Sequence, residues 1–351
     1  NKTAGDMQLD LASEMGCDLV EVTSHLGARP SHAEWQGQVY SISGKNPKYK
    51  PFSVTGYGTG DGLCGWNCRH SFYPYFEGLS ERASIPKFTA EENLEMYENQ
   101  QQQRAYERAI RKSKRELAGI DSARQNTDDP ALKAKLDKEF SQKSVTLKKR
   151  EDRLKTWCAE KDLAMDNSRV RTYGFGKSVS QKAVIAGNKE FRESLKKIGV
   201  ENPPKTLAIY FNMRYNNTPE YQLLNCYMDS VKIGILSPLA GFELYKEYHQ
   251  RIESEIIGIK TVNGIEIKSQ SKHFLERVFG TKNDPTHGNF SRSGVDIDDI
   301  KDALLHGKIK EPKKESESKK AKKPDSIVFF NDKCAVAVNP ITGNLIQTNP
   351  L

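Results

Sequence analysis

The stretch from residue 91 to residue 165 leaves this chain the least conformational choice. Glu91 and Glu92 follow Thr89 and Ala90, and acidic side chains suit the positive end of a helix. Residues 96–117 are rich in Gln, Arg, Glu, Lys and Ala, all strong helix formers. The helix is expected to end within residues 119–127. Asp129-Pro130 then reads as a cap followed by proline in the first turn of a second helix. Leu132, Leu136, Phe140, Leu147 and Leu154 recur at steps of four or seven, which lays an apolar stripe along one helix face. The two helices can bury their stripes against each other, so an antiparallel hairpin is predicted. The stripe is too short and irregular for a sustained coiled coil.

The same region gathers the charge. The whole chain of 351 residues carries +8, and residues 104–155 alone hold 16 Lys/Arg against 9 Asp/Glu. A basic face of this kind can meet nucleic acid or an acidic protein ring, and it is equally what a solvated helix surface looks like. No run approaches the 18 or so apolar residues that a membrane span needs; the richest, at 326–330 and 233–242, fall far short. No signal-peptide pattern opens the sequence, and Asn1 reads as a domain boundary with more chain expected upstream. The six cysteines are scattered, which argues against a disulfide framework and for synthesis in a reducing cytosol.

Composition divides the chain into four regions, and the fold class expected is α+β and multidomain. Residues 1–90 form a Gly- and aromatic-rich α+β module, and 91–165 the basic hairpin. Residues 166–250 read as a mixed connecting region, with 207–211 a candidate strand. Residues 251–351 read as helices followed by an antiparallel meander. In that last region two β-prone runs, 256–260 and 265–268, flank the turn dipeptide Asn263-Gly264. Ser271 can cap a helix and residues 296–306 form another. Three short strands at 326–330, 333–338 and 344–348 then follow a Lys-rich stretch, 308–323, expected as a flexible loop.

The most unusual text lies near the start. Residues 24–37 contain His25, Arg29, His32 and Trp35, and residues 56–70 hold five glycines together with Cys64, Trp66, Asn67, Cys68, Arg69 and His70. The glycines permit tight turns with positive φ, and the aromatics supply a compact core. Cys64, Cys68 and His70, with His25 and His32 upstream, raise the question of zinc, which takes four tetrahedral N or S ligands. The competing reading is of core residues with satisfied hydrogen bonds. Nothing else in the sequence calls for a cofactor.

These two blocks resemble the phage minor capsid protein 2 family and, more distantly, head-morphogenesis proteins of the Mu gpF type. That group carries an Arg-x-x-His element, matched by Arg29-Pro-Ser-His32. Its later Asn-Cys-Arg-Cys element is matched by Asn67-Cys68-Arg69-His70, with the last cysteine replaced. The resemblance covers roughly the first half of the chain. It implies a low-copy virion protein near the portal vertex, made in the bacterial host cytoplasm. Its implied partners are the portal or other capsid proteins and packaged DNA.

The order of elements in 251–351 resembles the barnase/EndoU/colicin/RelE superfamily of small ribonucleases. The likeness rests on the segment from Ser271 through His273 to Arg277, on Val338-Asn339-Pro340, and on Ile346-Gln347-Thr348. It implies a toxin-like, metal-independent endoribonuclease acting on host RNA and leaving cyclic phosphate ends, with an immunity protein as partner. His273 would then move the proton, Arg277 would hold the phosphate, and Thr348 would donate to it, with Asn339 or Lys333 nearby. His287 reads as a loop histidine, with a second proton carrier as the alternative, and His306 reads as a cation at a helix C-terminus. The alternative is a purely structural protein whose C-terminal part only docks onto portal, capsid or DNA.

Overall fold

The computed structural model describes residues 2–284, 290–310 and 326–351; His287 and most of the Lys-rich stretch lie outside them. The chain divides into two compact units, residues 1–114 with 150–172 and residues 115–149 with 173–351. Among the described residues, no helix is long and apolar enough to cross a membrane.

The first unit opens with α1 (Lys2–Glu14) and a small antiparallel sheet in the order β2-β1-β3, formed by β1 (Leu19–Val22), β2 (Val39–Ser41) and β3 (Phe72–Pro74). The short helix α2 (Pro30–Ala33) lies between β1 and β2 in sequence. Val20, Val22, Trp35, Tyr40, Phe52, Leu63 and Phe72 make the core. Glu21 is fully buried in this sheet, where a bare carboxylate would be costly. Arg82 Nε (3.1 Å), the Ser84 amide (3.0 Å) and the Tyr73 hydroxyl (3.2 Å) all donate to it, fastening the chain beyond β3.

The hairpin forms as the sequence predicts: α3 (Ala90–Gln125) and α4 (Pro130–Glu160). Thr89 and Glu92 make a reciprocal capping box, with each backbone amide donating to the other's side chain (2.8 and 3.1 Å). Asp129 caps α4 by accepting from the amides of Ala131 and Leu132. The partners are antiparallel. Tyr106 stacks edge-on against Trp157, Glu116 meets Lys143, and Arg124 meets Asp137. Phe140, Leu147 and Leu154 are buried, whereas Leu132 at the start of the stripe is exposed. Gly119 does not stop α3, which continues for six more residues.

In the second unit, residues 166–250 are helical rather than mixed: α5 (Lys177–Lys196), α6 (Leu207–Tyr215), α7 (Pro219–Lys232) and α8 (Phe242–Glu255). The expected strand at 207–211 is the start of α6. Thr206 caps it by accepting from the Ile209 amide, and the i,i+4 pair Leu207 and Phe211 buries a helical face. The runs flanking Asn263-Gly264 make a tight turn and a single Lys260–Glu266 bridge, not two strands. The chain then forms β4 (Ser269–Gln270), α9 (Lys272–Phe279), the ribbon β5 (Thr281–Asp284) with β6 (Phe290–Arg292), and α10 (Ile297–His306). It ends in β7 (Lys308–Lys310), β8 (Ile327–Phe330), β9 (Cys334–Val338) and β10 (Asn344–Pro350).

The expected meander β8-β9-β10 is present, extended on both sides into a five-stranded sheet, β4-β10-β9-β8-β7. Lys308–Lys310 is thus strand and not loop. The parallel pair β4–β10 adjoins Ser271, whose hydroxyl caps α9 (Phe274 amide, 3.0 Å) and donates to the Ile346 carbonyl (2.9 Å).

The described residues of 251–351 share their core with the helical region. Phe191, Leu207, Phe211, Leu224, Tyr227 and Tyr245 from the helical region share one cluster with Phe274, Val278, Ile300, Phe329, Val336 and Leu345. Truncating a large core aromatic costs about 3–5 kcal/mol. Phe274→Ala is therefore expected to destabilise α5–α8 and the five-stranded sheet together. Hydrogen exchange should show both losing protection in parallel; loss confined to α9 and the sheet would refute the shared core.

Candidate functional site

Among the described residues, the buried histidine and cysteine cluster that could hold a metal lies in the first unit. Arg29 is extended, and the fixed φ of Pro30 starts the single turn of α2 that carries His32. The opposite wall is the glycine loop. Gly62 packs so closely on residue 56 that an added Cβ would stand 2.0 Å from the Gly56 carbonyl oxygen. Cys64 and Asn67 both take left-handed backbone (φ 59° and 54°), a cost at Cys64 that Asn67 tolerates better. This path brings Cys68 and His70 beneath α2.

His32 Nδ1 lies 3.4 Å from His70 Nδ1, and Cys68 Sγ lies 3.8 and 3.6 Å from the two nitrogens. All three residues are buried, and among the described residues theirs is the group that could hold a metal ion. The sequence-based trio is therefore corrected by one member. Cys64 turns away, its thiol facing the His70 carbonyl oxygen at 3.8 Å, and His32 takes its place. The far ring nitrogens are occupied: His32 Nε2 by the Asp61 carbonyl (2.7 Å) and His70 Nε2 by Gln36 Oε1 (3.1 Å). His25 stacks on His70 with centroids 4.3 Å apart, and Trp35 packs against both other imidazoles. Burial, with His25, His32, Arg69 and Arg29 nearby, pushes His70 down to about 3. Burial lowers His32 and His25 as well. Shifts in that direction favour the neutral ring, the form in which imidazole ligates metals.

A pocket of about 310 Å³ opens over the cluster, lined by all three of its members and by His25, Arg29, Arg69 and Arg104. Gly27, which also lines it, is held by Asn93 of α3, which sequence reasoning missed. The Asn93 carboxamide accepts from the Gly27 and Ala28 amides (3.0 and 2.9 Å) and donates to the Ala28 carbonyl (2.9 Å). Gln36 was missed too; both are ordinary amides whose partners lie far along the chain.

With this geometry in hand, the comparisons fall on the same stretch of chain. Residues 1–159 match the phage minor capsid protein 2 family. The match takes in the whole cluster and stops at the end of α4. A structural protein of Lactococcus phage LL-H is 35% identical over 118 residues, 32% of this chain and 32% of that one. A structural protein of Lactococcus phage mv4 is 45% identical over 74 residues, 21% of this chain and 59% of that one. The chain thus spans a third and three-fifths of these relatives' lengths. No solved structure matches it.

The residues expected to form a ribonuclease site are not brought together at an open cleft. Arg277 is 3% exposed and Thr348 fully buried, its hydroxyl donating to the Ala335 carbonyl (3.1 Å). The reason is the packing of α9 on β10, which turns both inward. His273 is half-exposed, with Nδ1 3.9 Å from Glu276. Asn339 shapes the β9–β10 turn, its side chain accepting from the Ile341 and Thr342 amides. Lys333 pairs with Asp299 at 2.7 Å, and His306 sits at the exposed end of α10 against Asp302.

Asn93→Ala would strand two buried backbone amides, at about 1–3 kcal/mol each. It is expected to lower the denaturation midpoint and to expose the Gly27 and Ala28 amides to exchange. Unchanged exchange there would show the clamp to be dispensable.

Proposed function

We propose that this protein is a minor structural component of a phage particle, serving at the portal vertex during head assembly. The observation that carries the reading is the family match over residues 1–159, which ends with the second helix of the hairpin. The hairpin suits contact with an acidic portal ring or with packaged DNA. Its first α4 turns expose Lys133, Lys135 and Lys138, while Lys143 and Arg124 are tied to Glu116 and Asp137. Residues 251–351 act in this reading as the sheet that completes the second unit, not as a nuclease. Burial of Arg277 and Thr348 and the shared core support that choice.

Mass spectrometry of purified particles is expected to find this chain at far fewer copies than the main shell protein. Particles assembled without it should package DNA poorly; its absence from mature particles would overturn the proposal. The full chain is expected to leave single-stranded RNA intact. Cleavage that disappears in His273→Ala would instead restore the enzymatic role.

A further inference from the structure

The cluster beneath α2 presents an electrostatic problem that neutral side chains do not solve. The Asp61 carbonyl can only accept, so His32 Nε2 must carry the ring proton. Gln36 Oε1 also accepts from the His25 amide (3.0 Å), which fixes that atom as oxygen and makes His70 Nε2 a donor in turn. Each neutral ring has one N–H, so both Nδ1 atoms are bare lone pairs, facing each other across 3.4 Å inside the protein. The Cys68 thiol has one proton and can satisfy only one of them. A cation seated between the three atoms satisfies all.

The distances select the cation. Zinc–nitrogen bonds of about 2.0–2.1 Å and zinc–sulfur bonds of about 2.3 Å put tetrahedral ligand edges at about 3.3–3.4 Å for N···N and about 3.6 Å for N···S. The edges here are 3.4, 3.6 and 3.8 Å. Ligands of this kind also have their outer N–H groups held by a carbonyl or carboxylate, which fixes the tautomer; both histidines are held so.

We propose that His32 Nδ1, His70 Nδ1 and Cys68 Sγ bind one zinc ion, with the fourth position open to the arginine-lined pocket. Binding takes the ion from solution and releases the Cys68 proton, leaving a thiolate. The ion adds a further tie between α2 and the glycine loop, beside the hydrogen bond from His32 Nε2 to the Asp61 carbonyl. Because three protein ligands leave one position vacant, it is filled by water or by an anionic oxygen drawn in by Arg29, Arg69 and Arg104.

The test uses the purified full chain, stripped with chelator and reloaded with zinc or cobalt(II). One equivalent per chain is expected, with a thiolate-to-cobalt charge-transfer band and the intense visible bands of tetrahedral cobalt. Cys68→Ser should abolish the charge-transfer band and His32→Ala stoichiometric binding, whereas Cys64→Ser should keep both. Gln36→Ala, which removes only an orienting contact, should weaken zinc binding about 10- to 100-fold. Circular dichroism of each variant checks that it is folded, and the wild-type titration decides the matter even if a variant is not. Wild-type protein that takes up no stoichiometric zinc or cobalt, or a charge-transfer band that follows Cys64 instead of Cys68, would overturn the assignment.

Discussion

Buried backbone that belongs to no helix or strand must find hydrogen-bond partners elsewhere, and in the first unit Asn93 meets that need. It stands in the first turn of α3, a helix made secure by its capping box, and receives the two amides that precede Arg29. The α2 side of the candidate site follows from this attachment. Residues 27 and 28 set the entry to α2, α2 sets His32, and His32 meets the loop carrying Cys68 and His70. A polar side chain on a regular helix thereby gives an irregular segment a fixed place.

The parts legible in the sequence were those governed by neighbours in the chain. The capping box at Thr89 and Glu92, the Asp129-Pro130 start of α4 and the Ser271 cap of α9 are all written within four residues. The β8-β9-β10 meander was legible for the same reason, since tight turns join alternating apolar runs. Residues 207–211 misled because Ile, Tyr and Phe favour strands locally, while the deciding contacts of Leu207 and Phe211 lie in a distant core.

The candidate site was half legible. Cys68 and His70 stand two residues apart and drew attention at once; their third partner lies 36 residues before Cys68. Chain proximity favoured Cys64, and only the left-handed turn at that residue shows why its thiol points elsewhere. At the C-terminal end the error ran the other way. A one-turn spacing put His273 and Arg277 on a common helical face, yet that face crosses the rim of the core, so one side chain reaches solvent and the other does not.

Among the described residues, the five-stranded sheet is bordered by β4 on one side and β7 on the other. All three residues of β7 are exposed, and two are lysines. Their ammonium groups repel a like border brought alongside. Two sheets approaching border to border along β7 would thus meet charge against charge before strand hydrogen bonds could form.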